Sequence, residues 1–211
     1  MTPPTLFVLS ILVTGACHAA TGADADGLIT LHSRHLDEVR VRPQVDLAAY
    51  RRVLIEPAPV NLRTEANINQ RYPRRIAPEE ANLIVREAAS SIEAALVEAF
   101  KARGYEIAAA SGPGVLRLSP RVAELVVNAP DDPMSGRTYA FTREAGEATL
   151  VVDARDALSG DLLASIRHKD TAGQLGRLNI ANEVTNRFWF EGFFRRWAVD
   201  CADVLRSPAA Q

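Results

Sequence analysis

The chain predicts a two-layer α+β domain: a mainly antiparallel sheet of about four strands with two amphipathic helices packed on one face. Three observations carry this prediction. Apolar residues recur at helical spacing in two distant segments, near 78–104 and 182–206. Between them lie segments whose apolar residues alternate with a period of two, joined by turn-forming residues. Only the crossing from the first of these strands to the second carries a helix, which argues against a doubly wound parallel sheet.

Residues 1–19 read as an export signal. Leu6 to Val13 is an uncharged apolar run of about eight residues, far short of the roughly 20 that span a bilayer. Small residues follow from Thr14 to Ala20. Two maturation routes stay open. Cys17-His18-Ala19 before Ala20 suits signal peptidase I, whereas Thr14-Gly15-Ala16-Cys17 offers Cys17 for lipidation with Thr14 where an aliphatic residue is usual. A lipid on Cys17 would tether the chain to a membrane with no spanning helix. Either route places the mature chain in the bacterial envelope, in the periplasm or on a membrane surface.

Residues 20–44 read as a tether and an irregular segment, with Val39, Val41 and Val45 alternating only weakly. A single domain is expected over 45–206, with 207–211 as a tail. Arg52-Val53-Leu54-Ile55-Glu56-Pro57 is a short β-branched run stopped by proline, hence a buried strand. Pro78-Glu79-Glu80 opens the clearest helix, because proline suits the first helical position and carboxylates suit the positive end of the dipole. Ile84, Ala88, Ile92, Ala95, Leu96, Ala99 and Phe100 form its stripe, and Arg103-Gly104 closes it.

Val115 to Val127 predicts a long strand whose Pro120 requires a bulge or an edge position. Residues 129–145 predict a loop. Ala148, Leu150, Val152 and Ala154 then face one way in a strand; Asp156 to Asp161 is turn chemistry with Gly160 free to take positive φ; Leu162, Ala164, Ile166 and His168 return. The final helix, about 182–206, carries Phe190, Phe194, Trp197, Cys201 and Leu205 on one face. Its aromatics at 188, 189, 190, 193, 194 and 197 exceed what one face hides, so at least one packs under the loop preceding the helix or lies exposed.

The formal charge of −2 gives no support for nucleic-acid binding, which favours a basic face. With Cys17 removed or acylated, Cys201 stands alone and cannot form an internal bridge.

The segments Ala49-Tyr50-Arg51-Arg52-Val53-Leu54-Ile55-Glu56-Pro57, Gly112-Pro113-Gly114-Val115-Leu116-Arg117-Leu118, Asp156-Ala157-Leu158-Ser159-Gly160-Asp161-Leu162-Leu163-Ala164 and Trp197-Ala198 occur in this order. Together they resemble the proteobacterial family catalogued as domain of unknown function 3313, over roughly residues 45–206. The resemblance implies an exported protein or lipoprotein, and it supplies no catalytic residues.

The residues themselves offer little catalytic chemistry. His32 and His35 stand two residues apart, but neither a Cys nor a third His completes a tetrahedral site, so no metal or other cofactor is expected. A Ser or Cys nucleophile would need His168 to meet Ser159 or Cys201. Cys201 lies on an apolar stripe, and Ser159 sits in a turn where its hydroxyl caps a backbone amide. Asp131 and Asp132, with Asp153 and Asp156, match no calcium loop.

The most pointed surface feature is the basic loop Arg71, Arg74 and Arg75, near Arg63 and Tyr72, next to the first helix. Guanidinium forks suit phosphate and carboxylate. The expected function is a non-enzymatic binding module for another envelope protein or an anionic envelope component, with no nucleic acid and a membrane reached only through a lipid anchor. A small-ligand carrier predicts instead a closed pocket between sheet and helices. An atypical hydrolase predicts His168 near Asp153 or Asp170. The binding reading expects the few reactive groups not to gather around a crevice.

Overall fold

The computed structural model describes residues 24–63, 76–127, 141–142, 144–173, 179–180 and 183–207. In chain order come β1 (Ile29–Leu31), β2 (Glu38–Val41), a 3₁₀ turn (Leu47–Ala49), β3 (Arg52–Ile55), β4 (Val60–Leu62), α1 (Pro78–Ala102), β5 (Glu106–Ile107) and β6 (Val115–Val127). They are followed by β7 (Phe141–Thr142), β8 (Glu144–Asp156), β9 (Leu162–Gly173), β10 (Asn179–Ile180) and α2 (Glu183–Arg206). The class is α+β, as expected, but the main sheet has eight strands rather than about four and is mixed. Among the described residues no helix is long and apolar enough to cross a membrane.

The strand path is β1-β2-β9-β8-β6-β3-β5, with β4 also paired to β6. β3 runs parallel to both β5 and β6, and β4 runs parallel to β6; every other pair in this sheet is antiparallel. The parallel pairs follow from the α1 crossover, since strands linked by a helix return in the same direction. Two further strands, β7 and β10, pair with each other as a separate ribbon.

The segment 20–44, expected to be tether and irregular, instead contributes β1 and β2, and β2 pairs with β9. Strands of three or four residues hold too few positions for alternation to stand out, although Val39 and Val41 are the buried pair of β2. Within the segment expected as loop at 129–145, β7 and the first residues of β8 are extended; residues 128–140 and 143 lie outside the described residues.

α1 begins and ends as its sequence dictates. Pro78 opens it, Glu79 and Glu80 occupy the first turn and Lys101 the last. Gly104, at φ 84°, lets the chain leave the helix, with Gly104 N–H donating to Lys101 O and Tyr105 N–H to Phe100 O. These paired bonds satisfy carbonyls the helix end leaves open. The Tyr105 ring then meets Phe100 edge-on at 5.2 Å. Off the apolar stripe, Glu93 accepts the Ala58 N–H at 2.8 Å and anchors the β3–β4 crossing to the helix.

Of the expected bulge or edge position, Pro120 takes the second in local form: its amide side faces a break in the pairing. Residues 118 and 122 face the β3–β4 edge: Glu56 N–H donates to Leu118 O, and Val122 N–H to Pro59 O. Alternation turns Pro120 the same way, toward the gap where the chain crosses from β3 to β4. No ladder donor is needed there. The bulge falls slightly later, between Val122 and Glu124.

Both helices pack against one face of the sheet and against each other, α1 over β3, β4 and β5, α2 over β8 and β9. Leu116, Leu118, Leu150, Val152, Ala164 and Ile166 face them and join Phe100, Phe193, Phe194 and Trp197 in one buried cluster. The opposite face bears Arg117, Ser119, Arg121, Asp153, Arg155, Ser165 and Arg167. Their cross-strand rows are Arg117–Arg155, then Ser119–Asp153–Ser165–Arg40, then Arg121–Val151–Arg167.

Candidate functional site

Arg71, Arg74 and Arg75, the expected binding residues, and Cys17, the expected lipidation site, lie outside the described residues, as do Tyr72, Asp131 and Asp132. The nearby Arg63 is described and pairs with Glu124 at 3.0 Å. The structure draws attention instead to a cleft of about 520 Å³ that sequence reasoning did not assemble. It is lined by residues 30–37, the end of β1 and the loop entering β2, and by His168 of β9.

Local chemistry builds the loop. The Ser33 hydroxyl accepts the N–H groups of His35 and Leu36, a side-chain turn that folds the chain back on itself. Leu36 is thereby driven into the core, while His32 and His35 stay exposed. Asp37 Oδ2 accepts the Lys169 N–H at 2.6 Å, stitching the loop to β9. The same oxygen lies 3.3 Å from His168 Nδ1. That contact is an ion-pair distance without hydrogen-bond geometry, because Nδ1 is shielded from solvent and has no aligned acceptor. The other ring nitrogen is 4.0 Å from Asp170 Oδ2, and the ring rests on Phe193 at 6.4 Å between centroids.

A third carboxylate comes from α2. Burial pushes the Asp200 carboxyl above the usual range; His35 pulls it down, Asp203 raises it further, and His168 and Arg103 lower it. The imidazoles of His32, His35 and His168 and the carboxylate of Asp37 therefore line one cleft, with Asp170 and Asp200 near the His168 ring, contrary to the expected dispersal. Among the described residues no group of three or more His, Cys, Asp or Glu side chains is arranged to hold a metal ion, so His32 and His35 do not form the core of such a site.

The cleft can exchange protons and pair with charge. The side-chain nucleophiles considered from sequence are engaged elsewhere. Cys201 is fully buried, and desolvation drives its thiol well above its ordinary value. Ser159 is in the β8–β9 turn, where its hydroxyl accepts the Asp161 N–H, as expected. Asp153 lies on the opposite face from His168, bound to Ser165 at 2.8 Å and to Arg121 at 3.0 Å. Asp170 alone of the two expected partners is near the ring. Between sheet and helices, where a carrier would enclose its ligand, the described side chains form one buried apolar cluster.

The signals for this cleft were present but short: Glu38-Val39-Arg40-Val41 alternates, and Ser33 precedes a buried Leu36. Long-range pairing of β2 with β9 brings the loop over His168, and spacing alone does not encode that.

Several solved structures are similar in part. The PelC dodecamer of Paraburkholderia phytofirmans matches at 14% identity over 77% of this chain and 96% of its own, with a TM-score of 0.42. A Xanthomonas campestris protein of the DUF330 family model matches at 12% identity, over 77% and 86%, with a TM-score of 0.43. A Helicobacter pylori homologue of neuraminyllactose-binding hemagglutinin, itself a tentative assignment, matches at 13% identity, over 78% and 87%, with a TM-score of 0.38. None of these likenesses bears on what this chain binds. No curated protein matches it. The family model described as "Protein of unknown function (DUF3313)" spans residues 19–201, and the chain belongs to that family.

Proposed function

We propose that this protein is an exported, non-enzymatic binding module of the bacterial envelope, acting in the periplasm or from a lipid-anchored position. The observation that carries the reading is the engagement of its nucleophiles: Ser33 and Ser159 hold backbone turns, and Cys201 is sealed in the core. Among the described residues considered as nucleophiles, turn-forming serines and a core cysteine beside a His–carboxylate group support recognition before turnover. The export signal and the Arg71, Arg74 and Arg75 loop supply the compartment and the contact chemistry, an acidic protein surface or an anionic envelope component.

Charge reversal at Arg71, Arg74 and Arg75 tests this. Co-fractionation of the full-length chain with isolated envelopes is expected to fall sharply in the triple Glu variant; retention equal to the parent would reject the loop as the contact.

One observation favours a second reading. His168 Nε2 lies 4.0 Å from Asp170, within reach of one bridging water, so a hydrolase that activates water directly has its base and carboxylate in place. Ester, amide and phosphoester substrates turned over by the parent and not by His168→Ala would establish that reading over the first.

A further inference from the structure

Arg117 and Arg155 stand directly opposite each other on β6 and β8, on the sheet face turned away from the helices. Directly opposed positions bring Cβ atoms to about 5 Å, where like charges destabilise the pair. The two guanidiniums turn to separate acceptors. Arg155 Nη1 donates to the Gly160 carbonyl at 3.2 Å, while Arg117 Nε lies 3.8 Å from Glu56 Oε1, too far to bond. That Nε is closed to solvent and has no acceptor.

Nearby carboxylates are already engaged. Asp153 takes Arg121 and Ser165, and the second oxygen of Glu56 accepts the Ser119 hydroxyl. Among the described residues Arg155 has no carboxylate partner. Arg117 thus has, among the same residues, only a long ion pair to Glu56, with no hydrogen-bond acceptor at its Nε, and Arg155 a single carbonyl acceptor.

We infer that Arg117 and Arg155 together bind an oxyanion of the phosphate class. Two planar forks presented from adjacent strands call for an acceptor with more than two oxygens. A carboxylate saturates one fork, whereas a phosphate monoester or pyrophosphate reaches both. The adjoining β8–β9 turn carries Leu158, which is 64% exposed. Soluble phosphates and phosphorylated lipid headgroups share the required chemistry. The inference uses none of Arg71, Arg74 and Arg75 and stands whether or not those residues bind anything.

The test titrates the full-length chain with pyrophosphate while following the side-chain Nε–H NMR signals of Arg117 and Arg155, with flotation on phosphatidylglycerol and phosphatidylcholine vesicles in parallel. Both signals are expected to shift. Arg117→Gln and Arg155→Gln are each expected to weaken binding about tenfold or more, the effect of losing one charge-assisted contact. Response to pyrophosphate identifies a soluble phosphate; flotation with phosphatidylglycerol alone identifies a headgroup. Failure of both probes, or binding by either variant equal to the parent's, overturns the inference.

Discussion

Leu150 and Val151 are neighbours on β8 and both are buried, yet different physics holds them. Leu150 joins the apolar layer beneath the helices. Val151 points to the other face, flanked in its cross-strand row by Arg121 and Arg167. Long charged side chains cover apolar surface with their stems while their heads stay in water. One face thus gains stability from apolar contact, and the other keeps charge at the surface where a partner can meet it. Substitutions should therefore separate the two faces by the size of their effect on folding.

The strongest break is expected where a strand and α2 meet without room for a side chain. Gly146, at φ 151°, would place an added Cβ 1.9 Å from the Val126 carbonyl oxygen and 3.1 Å from Phe190. Gly146→Ala is expected to abolish the cooperative melting transition; a transition within a few degrees of the parent would show that β8 relaxes there. Next comes Trp197→Ala, which removes a ring 1% exposed from the helix-facing layer. Chemical denaturation should register a loss of about 3–5 kcal/mol.

The turn at the end of β8 sits between these faces, and its effects are intermediate. Asp156 accepts the Leu158 and Ser159 N–H groups and the Tyr50 hydroxyl, each at 2.8 Å. Tyr50→Phe is expected to cost about 1 kcal/mol. Burial and the Asp156 hydrogen bond push the Tyr50 hydroxyl up to about 12 from an ordinary 10.0. The unfolded chain then ionises first, so this contribution is present below pH 10 and lost as pH rises toward 12. A Tyr50→Phe variant should lose less stability than the parent across that interval. Asp156 is held below its ordinary 3.8, chiefly by the Ser159 N–H and then by Tyr50, so its contribution is present above that value and lost as pH falls through the folded one. Equal alkaline slopes for parent and variant would detach Tyr50 from this account.

The smallest effects belong to the surface pairs. Arg103 grips Asp203 through two bonds of 2.6 and 2.7 Å and ties α1 to α2, but Asp203 is 48% exposed. Arg103→Ala is expected to cost up to about 1 kcal/mol and less at high salt. On the open face, Arg121→Ala should lie within about 1 kcal/mol of the parent. A loss as large as that of Trp197→Ala would erase the distinction between the faces.

Legibility in the sequence followed element length. α1, β6, the β8–β9 hairpin and α2 carry enough residues for periodicity to average over exceptions, and Gly104 and Gly160 both take the positive φ their positions required. β3, though equally short as the remaining strands of this sheet, was legible because Pro57 stops a continuous apolar run. β1, β2, β4 and β5 have two to four residues each and gain their order from pairing, β1 with β2, β2 with β9, β4 with β6 and β5 with β3. The candidate cleft was illegible for the same reason, since β2 is what carries Asp37 to His168. Phe193, left without a place on the α2 stripe, is buried beside His168. The open-face arginines were readable in part: Arg117 and Arg121 share parity in a strand, but the row that sets Arg117 against Arg155 exists only once β6 and β8 are registered.

Recognition without turnover is tested most directly by placing a photo-crosslinking residue at position 74 in living cells, with position 158 as the comparison. The account predicts one defined envelope adduct from position 74, lost when Arg71 and Arg75 become Glu. No adduct beyond that seen at 158, together with substrate hydrolysis that disappears in His168→Ala, would contradict it.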